Sequence, residues 1–444
     1  MIFDATHYWL RNAHIPSSLI VSGNKWTSRK AANDGLLLVD LEIADGSIST
    51  ILAAGTFDSY TYPSLDLKGG MVLACFVDLH THLDKGHSSP RTPNPDGTFD
   101  SALKTAQSDA KKWNADEVYR RMEFGLKCSY AHGTAAIRTH IDAFGKQGEM
   151  SFSVFRELRR QWHGSSGVAP CANRMILQAV SLVPLDYFLA PEGDKLADLV
   201  AESEGILGGV AYMNPDIDQQ LDRVFALAKD RNLNLDFHSD ETNDSNSITL
   251  RHIAQAIIRH KYKGNVVCGH CCSLAVQENA EANKTIQLVK KAGIGVVSLP
   301  MCNLYLQGRM PKQTPRWRGV TLLHELKQAK VPVAIASDNC RDPFFAFGDH
   351  DGLEVFNMSV RIAHLDHPYG DWVNSITSTP ADLMGLPDVG RIGVGLPADL
   401  ILFKARNYSE LLSRSQHDRI VLRNGTAIDT ALPDYAELDD LFVK

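Results

Sequence analysis

CFVDLHTHLDKG, residues 75–86, closes an apolar run that begins at Met71 and finishes it with two imidazoles two positions apart. An apolar run without alternation fills a strand covered on both faces, so Met71–Val77 reads as buried wall. In an extended chain residues i and i+2 point the same way, so His80 and His82 converge from one strand end and form half of a metal site. An HExxH pair would sit on a helix instead. Taken alone, HxH is also what two satisfied polar residues at a strand end look like, and the rest of the chain decides between the two.

Working outward, seven more short apolar runs follow Met71–Leu79: Thr134–Ile141, Arg174–Leu182, Gly205–Met213, Leu233–Phe237, Asn265–Gly269, Gly293–Leu299 and Val331–Ala336. Between them lie stretches of helical periodicity, among them Asp116–His132, Asp216–Asn232, Ser245–Tyr262, Ala275–Ala292 and Val320–Lys330. Alternating strands and helices imply parallel strands with right-handed crossovers, and eight such units predict a closed (β/α)8 barrel over residues 71–390. An open doubly wound sheet is the alternative, but no GxGxxG follows the first run. Both ends read as β structure, residues 1–70 with an Asp45–Gly46 turn signal and residues 391–444 with Asn424–Gly425. They are expected to fold together as a small discontinuous domain. The final DYAELDDLFVK reads as a small helix or tail. Gly86–Trp113, with three prolines, reads as a long loop on the C-terminal rim, a lid or wall of the site.

A barrel places its chemistry at the C-terminal ends of its strands. Ionisable residues fall there: His80 and His82 after strand 1, His140 and Asp142 after strand 2, His238, Asp240 and Glu241 after strand 5, His270 after strand 6 and Asp338 after strand 8. Each costs desolvation unless paired or metal-bound. His80, His82, His238 and Asp338 make a three-nitrogen, one-oxygen set suited to one Zn²⁺ or Fe²⁺ ion and poor for Ca²⁺ or Mg²⁺. Glu241, three residues after His238, is the candidate proton carrier, its competing role being a cap on the following helix with Thr242 and Asp244. His140 and Asp142 are candidates for orienting a ligand. Cys268-Gly269-His270-Cys271 spells CxxC, the redox motif of thioredoxin-like domains. Here it closes a strand of a much longer alternating series, so its cysteines read as packing around a catalytic His270.

A net charge of −7 with no Lys/Arg run gives no reason to expect nucleic acid or an anionic membrane as partner, and no twenty-residue apolar span appears. A small-molecule substrate and a cytoplasmic location are expected. Eight cysteines in 444 residues do not make a disulfide scaffold.

With these residues in place the chain resembles the amidohydrolase superfamily, most closely its cytosine deaminase branch. The resemblance runs through FVDLHTHLDK, HGTAAIRTHID, LDFHSDE, Gly269-His270, NLYLQGR (303–309), ASDNCRDPF (336–344) and GRIGVGLPADLILF (390–403). It implies a TIM barrel with a small β-sandwich built from both termini, one catalytic metal ion, and hydrolytic release of ammonia from an aminated N-heterocycle. It implies His80, His82, His238 and Asp338 as ligands. Glu241 would carry a proton from water to a ring nitrogen, His270 would polarise the attacking oxygen, and Asp338 would pass a proton to the leaving amine. Gln307 would reach substrate, and Phe344 or Phe345 would form an apolar wall. Association into a homo-oligomer is common in the family. Pro184 stands where the branch carries a pyrimidine-reading glutamine, and Asn339 where it carries an aspartate, which leaves aminotriazine, pterin, creatinine and isocytosine-type substrates as alternatives to cytosine. No Lys closes strand 4 in GGVAYMNPD, so the bridging ligand of two-metal relatives is missing. From other classes, a catalytically silent barrel and a thiol redox protein are the competing readings.

Overall fold

The computed structural model describes residues 2–21, 34–56, 61–163 and 175–442. Arg174, the first residue of the third apolar run, lies outside them.

The terminal segments build two sheets, antiparallel except for one parallel edge pair in the first. In the first, strand His7–Pro16 pairs with Leu36–Ala44, which pairs with Ser47–Ala53, and Ser64–Asp66 flanks His7–Pro16 on the other side. The second runs Thr426–Ala427, Ile420–Arg423, Leu400–Leu402, Val72–Ala74. Tyr8, Leu10, Ile15, Leu41 and Ile43 of the first sheet share one buried core with Val72, Ala74, Leu400, Leu402 and Leu422 of the second, the packing of a sandwich. Both sequence turn signals are hairpin turns: Asp45 and Gly46 have φ of 48° and 80°, Asn424 and Gly425 of 45° and 71°. Two successive positive φ values match the right-handed twist of the flanking strands.

Among the described residues, eight parallel strands follow the expected alternation with helices. They are strand 1 (Phe76–Thr81), strand 2 (Thr134–Asp142), strand 3 (Ile176–Leu182), strand 4 (Leu207–Ala211), strand 5 (Leu235–Ser239), strand 6 (Val266–His270), strand 7 (Gly295–Ser298) and strand 8 (Val333–Ile335). Strands 1 to 3 form one ladder and strands 4 to 8 another, in chain order. Parallel bridges Val180↔Ile206 and Thr81↔Asp338 join the two ladders, so the sheet closes on itself as a (β/α)8 barrel. The helices Ala115–Ala131, Ile217–Asp230, Thr249–His260, Asn279–Ala292 and Leu323–Gln328 match the periodic stretches.

Two readings from sequence need correction. Met71–Leu79 is two strands: Val72–Ala74 pairs antiparallel with Leu400–Leu402 in the sandwich, and barrel strand 1 starts at Phe76. Both pieces are buried on both faces, so hydropathy carries no mark where one sheet ends and the other begins. Gly86–Trp113 is not all loop, because Phe99–Ala110 is a helix capped by the Thr98 hydroxyl, which accepts from the Ser101 amide. The C-terminal segment holds a 3-10 helix, Tyr435–Leu441, with Asp434 and Glu437 forming a capping box.

By internal packing the chain divides into two units. One comprises Met1–Asp78, Lys127–Ala136 and Asp351–Leu432, and the other Leu79–Leu126, Ile137–His350 and Pro433–Lys444. All the side chains of the site described below belong to the second.

Candidate metal centre and active site

Strands 1 and 8 are latched at their C-terminal ends. The Asp338 amide donates to the His80 carbonyl at 2.8 Å, and the Thr81 hydroxyl donates to the Asp338 carbonyl at 2.8 Å. The latch carries Asp338 to the two imidazoles of strand 1, and His238 arrives from strand 5. His80 Nε2 lies 3.2 Å from His238 Nε2, which lies 3.4 Å from His82 Nε2. Asp338 Oδ1 is 3.6 Å from His80 Nε2 and 3.2 Å from His82 Nε2. A tetrahedral ion with ligand distances of about 2.0–2.1 Å separates its ligand atoms by about 3.3 Å, so the four atoms sit where such an ion needs them. Room for His80 comes from Gly269 on strand 6, where a Cβ would meet His80 Cε1 at 2.9 Å.

Electrostatics point the same way. All four groups are buried. Burial, reinforced by neighbouring positive groups, holds His80, His82 and His238 well below the ordinary imidazole range, so they are neutral, the form in which an imidazole can accept a metal ion. Burial also raises Asp338, an effect that a cation would reverse. Three imidazole nitrogens and a carboxylate oxygen aimed at one point repel unless a cation lies between them, and the residues fit a divalent ion. His140 packs against this group, its ring centroid 3.9 Å from His80 and 4.8 Å from His238. Behind it Asp236 takes a 2.7 Å ion pair from Arg138.

Glu241 and His270 stand side by side next to the ligands. Glu241 Oε1 is 3.3 Å from His270 Nδ1, and Asn303 Nδ2 contacts both, at 3.2 Å and 3.1 Å. Burial and then the Asp338 charge raise Glu241 well above the usual carboxylate range, and burial lowers His270 to about 4. The competing capping role belongs to the neighbour. Asp240 accepts from the Ser247 and Thr249 hydroxyls and from the Thr249 and Leu250 amides at the start of the helix, leaving Glu241 directed to the cavity.

That cavity, 320 Å³ in volume, is bordered by His82, His238, Glu241, His270 and Asp338 on its polar side. Pro184, Val210, Tyr212 and Phe344 form apolar walls, and the helix Phe99–Ala110 contributes Phe99, Leu103 and Ala106. Arg91 fixes this helix through paired bonds to Asp109 at 2.8 Å and one to Glu117 at 2.6 Å. Lys85 and Asp142 meet on the rim in a 2.6 Å ion pair.

Not every expected residue lines the cavity. Gln307 instead donates to the Glu241 backbone carbonyl at 3.2 Å. Phe345 packs edge-on against Tyr305 and Phe347. Asn339 borders the cavity and donates to Asp342 at 2.6 Å, and Asp342 accepts the Phe344 amide at 2.8 Å, setting the Phe344 wall. Asn303, Lys85, Phe99 and Tyr212 were missed from the sequence. Asn303 precedes Gln307 by one helical turn, and Lys85 and Tyr212 lie just past strand ends, positions that carried the signal. The CxxC cysteines are buried and unpaired, and burial pushes Cys271 up to about 12, the reverse of a reactive thiolate.

The barrel and its buried His/Asp cluster with an adjoining carboxylate define the class of metal-dependent hydrolases built on a (β/α)8 scaffold. The chain belongs to the Amidohydrolase family, whose profile matches residues 193–425. It is a hydrolase acting on carbon–nitrogen bonds, with deaminases among its relatives. It is 50% identical over 440 residues to a pterin deaminase of Rhizobium rhizogenes, covering 98% of this chain and 97% of that one. It is 24% identical to the N-isopropylammelide isopropyl amidohydrolase of a Pseudomonas species, over 82% of this chain and 87% of that one. The structure of 5-methylcytosine deaminase from Klebsiella pneumoniae liganded with 5-fluorocytosine superposes with a TM-score of 0.79 at 22% identity, over 95% of this chain and 97% of that one. Among the described residues no helix is long and apolar enough to cross a membrane.

Proposed function

We propose that this amidohydrolase deaminates a pterin-type substrate, exchanging the one exocyclic amino group of the bicyclic ring for oxygen with release of ammonia. The observation that carries the reading is the 50% identity, across 98% of the chain, to a pterin deaminase. It favours the pterin alternative over the cytosine-like reading that the motifs suggest first. Pro184 on the cavity wall offers no side-chain amide, which counts against cytosine without choosing among the alternatives.

His80, His82, His238 and Asp338 would hold one Zn²⁺ or Fe²⁺ ion. Such an ion, when bound, makes a water acidic enough to lose a proton near neutral pH. Glu241 takes that proton and delivers it to the ring nitrogen beside the reacting carbon, which makes the carbon electrophilic. Asn303 keeps Glu241 and His270 in register for the transfer, and His270 steadies the oxygen that adds. Asp338 takes the remaining proton of the added hydroxyl and passes it to the amine, and as the carbon–oxygen double bond forms the carbon–nitrogen bond breaks and ammonia leaves. Phe344, Phe99 and Tyr212 offer flat apolar surface to the ring faces, and the Lys85–Asp142 pair offers a donor and an acceptor to an amide-like ring edge.

The test is a comparison of kcat/KM for pterin, cytosine, isocytosine, creatinine and aminotriazines with the metal-loaded protein. The proposal requires pterin to lead. Cytosine ahead of pterin, or ammonia from none, would sink it.

A further inference from the structure

A second group of metal-ligating side chains lies in the barrel unit and shares no member with the first. His87, Cys340 and His350 bring one ligand atom each to within 4.8 Å of one another, and their exposures are 1%, 1% and 3%. His87 belongs to the loop after strand 1, and Cys340 and His350 to the loop after strand 8. Backbone bonds already clamp the two loops: the His87 amide donates to the Cys340 carbonyl at 3.0 Å, and the Ser89 amide to the Arg341 carbonyl at 2.9 Å.

The packing reading of this cluster does not account for His87. Its ring lies edge-on to Phe124 at 4.7 Å, where a hydrophobe would serve, yet neither ring nitrogen has a hydrogen-bond partner. A neutral imidazole carries one donor and one acceptor, and leaving a buried polar group unsatisfied costs about 1–3 kcal/mol. His87 and His350 also hold left-handed backbone, with φ of 60° and 54°. Strain of this kind persists where surrounding structure fixes it, commonly at ligand sites.

We infer that His87, Cys340 and His350 bind a divalent cation of the Zn²⁺ class, separate from the one beside Glu241, that ties the loop after strand 1 to the loop after strand 8. Two imidazoles and a thiolate suit such an ion and would be poor ligands for Mg²⁺ or Ca²⁺. A tetrahedral nitrogen and sulfur site has edges of roughly 3.3–3.6 Å, so binding draws together atoms that already lie within 4.8 Å of one another. Binding displaces the thiol proton, so one proton is released per ion. His87 also lines a 360 Å³ cavity with Arg341, Tyr435 and Asp439, so the cluster adjoins open space on the His87 side.

Cobalt distinguishes the two sites, because only the proposed one contains sulfur. Full-length protein loaded with Co²⁺ should bind two equivalents and show thiolate-to-cobalt charge-transfer absorption. Cys340→Ser and His87→Gln should each lose one equivalent, and Cys340→Ser should lose the absorption. Cys302→Ser, whose sulfur lies 3.7 Å from the Asn339 carbonyl, should keep both. One equivalent in the unaltered protein, absence of the absorption, or a second equivalent that survives both substitutions would overturn the inference. Those readouts involve no substrate, so failure here leaves the pterin assignment untouched.

Discussion

At Gly269 the difference between hydrogen and methyl decides whether a ligand fits. A Cβ there would stand 2.9 Å from His80 Cε1, and His80 is fixed by neighbours on several sides, including His140 at 3.9 Å between ring centroids. Gly269→Ala is therefore expected to lower metal affinity by about 10–100-fold with the fold retained, since misplacing a ligand acts at least as strongly as losing its support. Equilibrium dialysis against Zn²⁺ measures it, and unchanged affinity would show that His80 is no ligand. Glu241 makes the complementary case. Glu241→Gln keeps the shape and removes the proton carrier, so it should bind metal normally and lose at least about 10²-fold in kcat. Full turnover in that variant would remove the proton-carrying role.

At the scale of elements, the helix Phe99–Ala110 is the wall that the sequence hid. Its residues follow a proline-rich stretch that reads as loop, and that stretch masks the helical spacing of Phe99, Ala102, Leu103 and Ala106. Phe99 stands edge-on to Phe344 at 5.7 Å, and both line the cavity. Phe99→Ala should raise KM by about tenfold, the worth of roughly one buried aromatic contact, with kcat little changed. A fall in kcat at constant KM would assign the helix another role. In the other unit, Asp351 caps the helix Gly352–Ala363 by accepting the Leu353 amide at 2.9 Å, and it pairs with Arg419 at 2.6 Å and 2.8 Å. Burial alone would raise its pKa, but the Arg419 charge and hydrogen bonds leave it below the usual value. The folded-state pKa is depressed, so the stabilisation is present above the unfolded value of about 3.9 and is lost as pH falls through the folded one. Asp351→Asn should cost about 3–5 kcal/mol at pH 7, and the gap to the unaltered protein should close in acid. A pH-independent gap in denaturant titrations would contradict the ion pair.

Across the whole molecule, what was legible followed from periodicity and from chemistry placed at strand ends. The barrel was readable because its strands are uniformly apolar and its helices amphipathic, and the candidate ligands because each ends a strand. Both hairpin turns were readable from Asp-Gly and Asn-Gly. What stayed hidden depends on three dimensions. The break between Val72–Ala74 and Phe76–Thr81 is invisible where both sheets bury both faces. Asn303 and Gln307 share a helical face, and only the fold shows that Asn303 bridges Glu241 and His270 while Gln307 holds the Glu241 backbone. Substrate choice was least legible of all, since Lys85, Asp142, Phe99, Tyr212 and Pro184 come from five separate stretches.

The most direct test of the central claim is the stoichiometry of a pterin reaction run in ¹⁸O-labelled water with metal-loaded protein. The account predicts one ammonia and one oxo-heterocycle for each pterin consumed, with the new oxygen drawn from solvent. Pterin left intact while another aminated heterocycle is consumed, or a product without solvent oxygen, would contradict it.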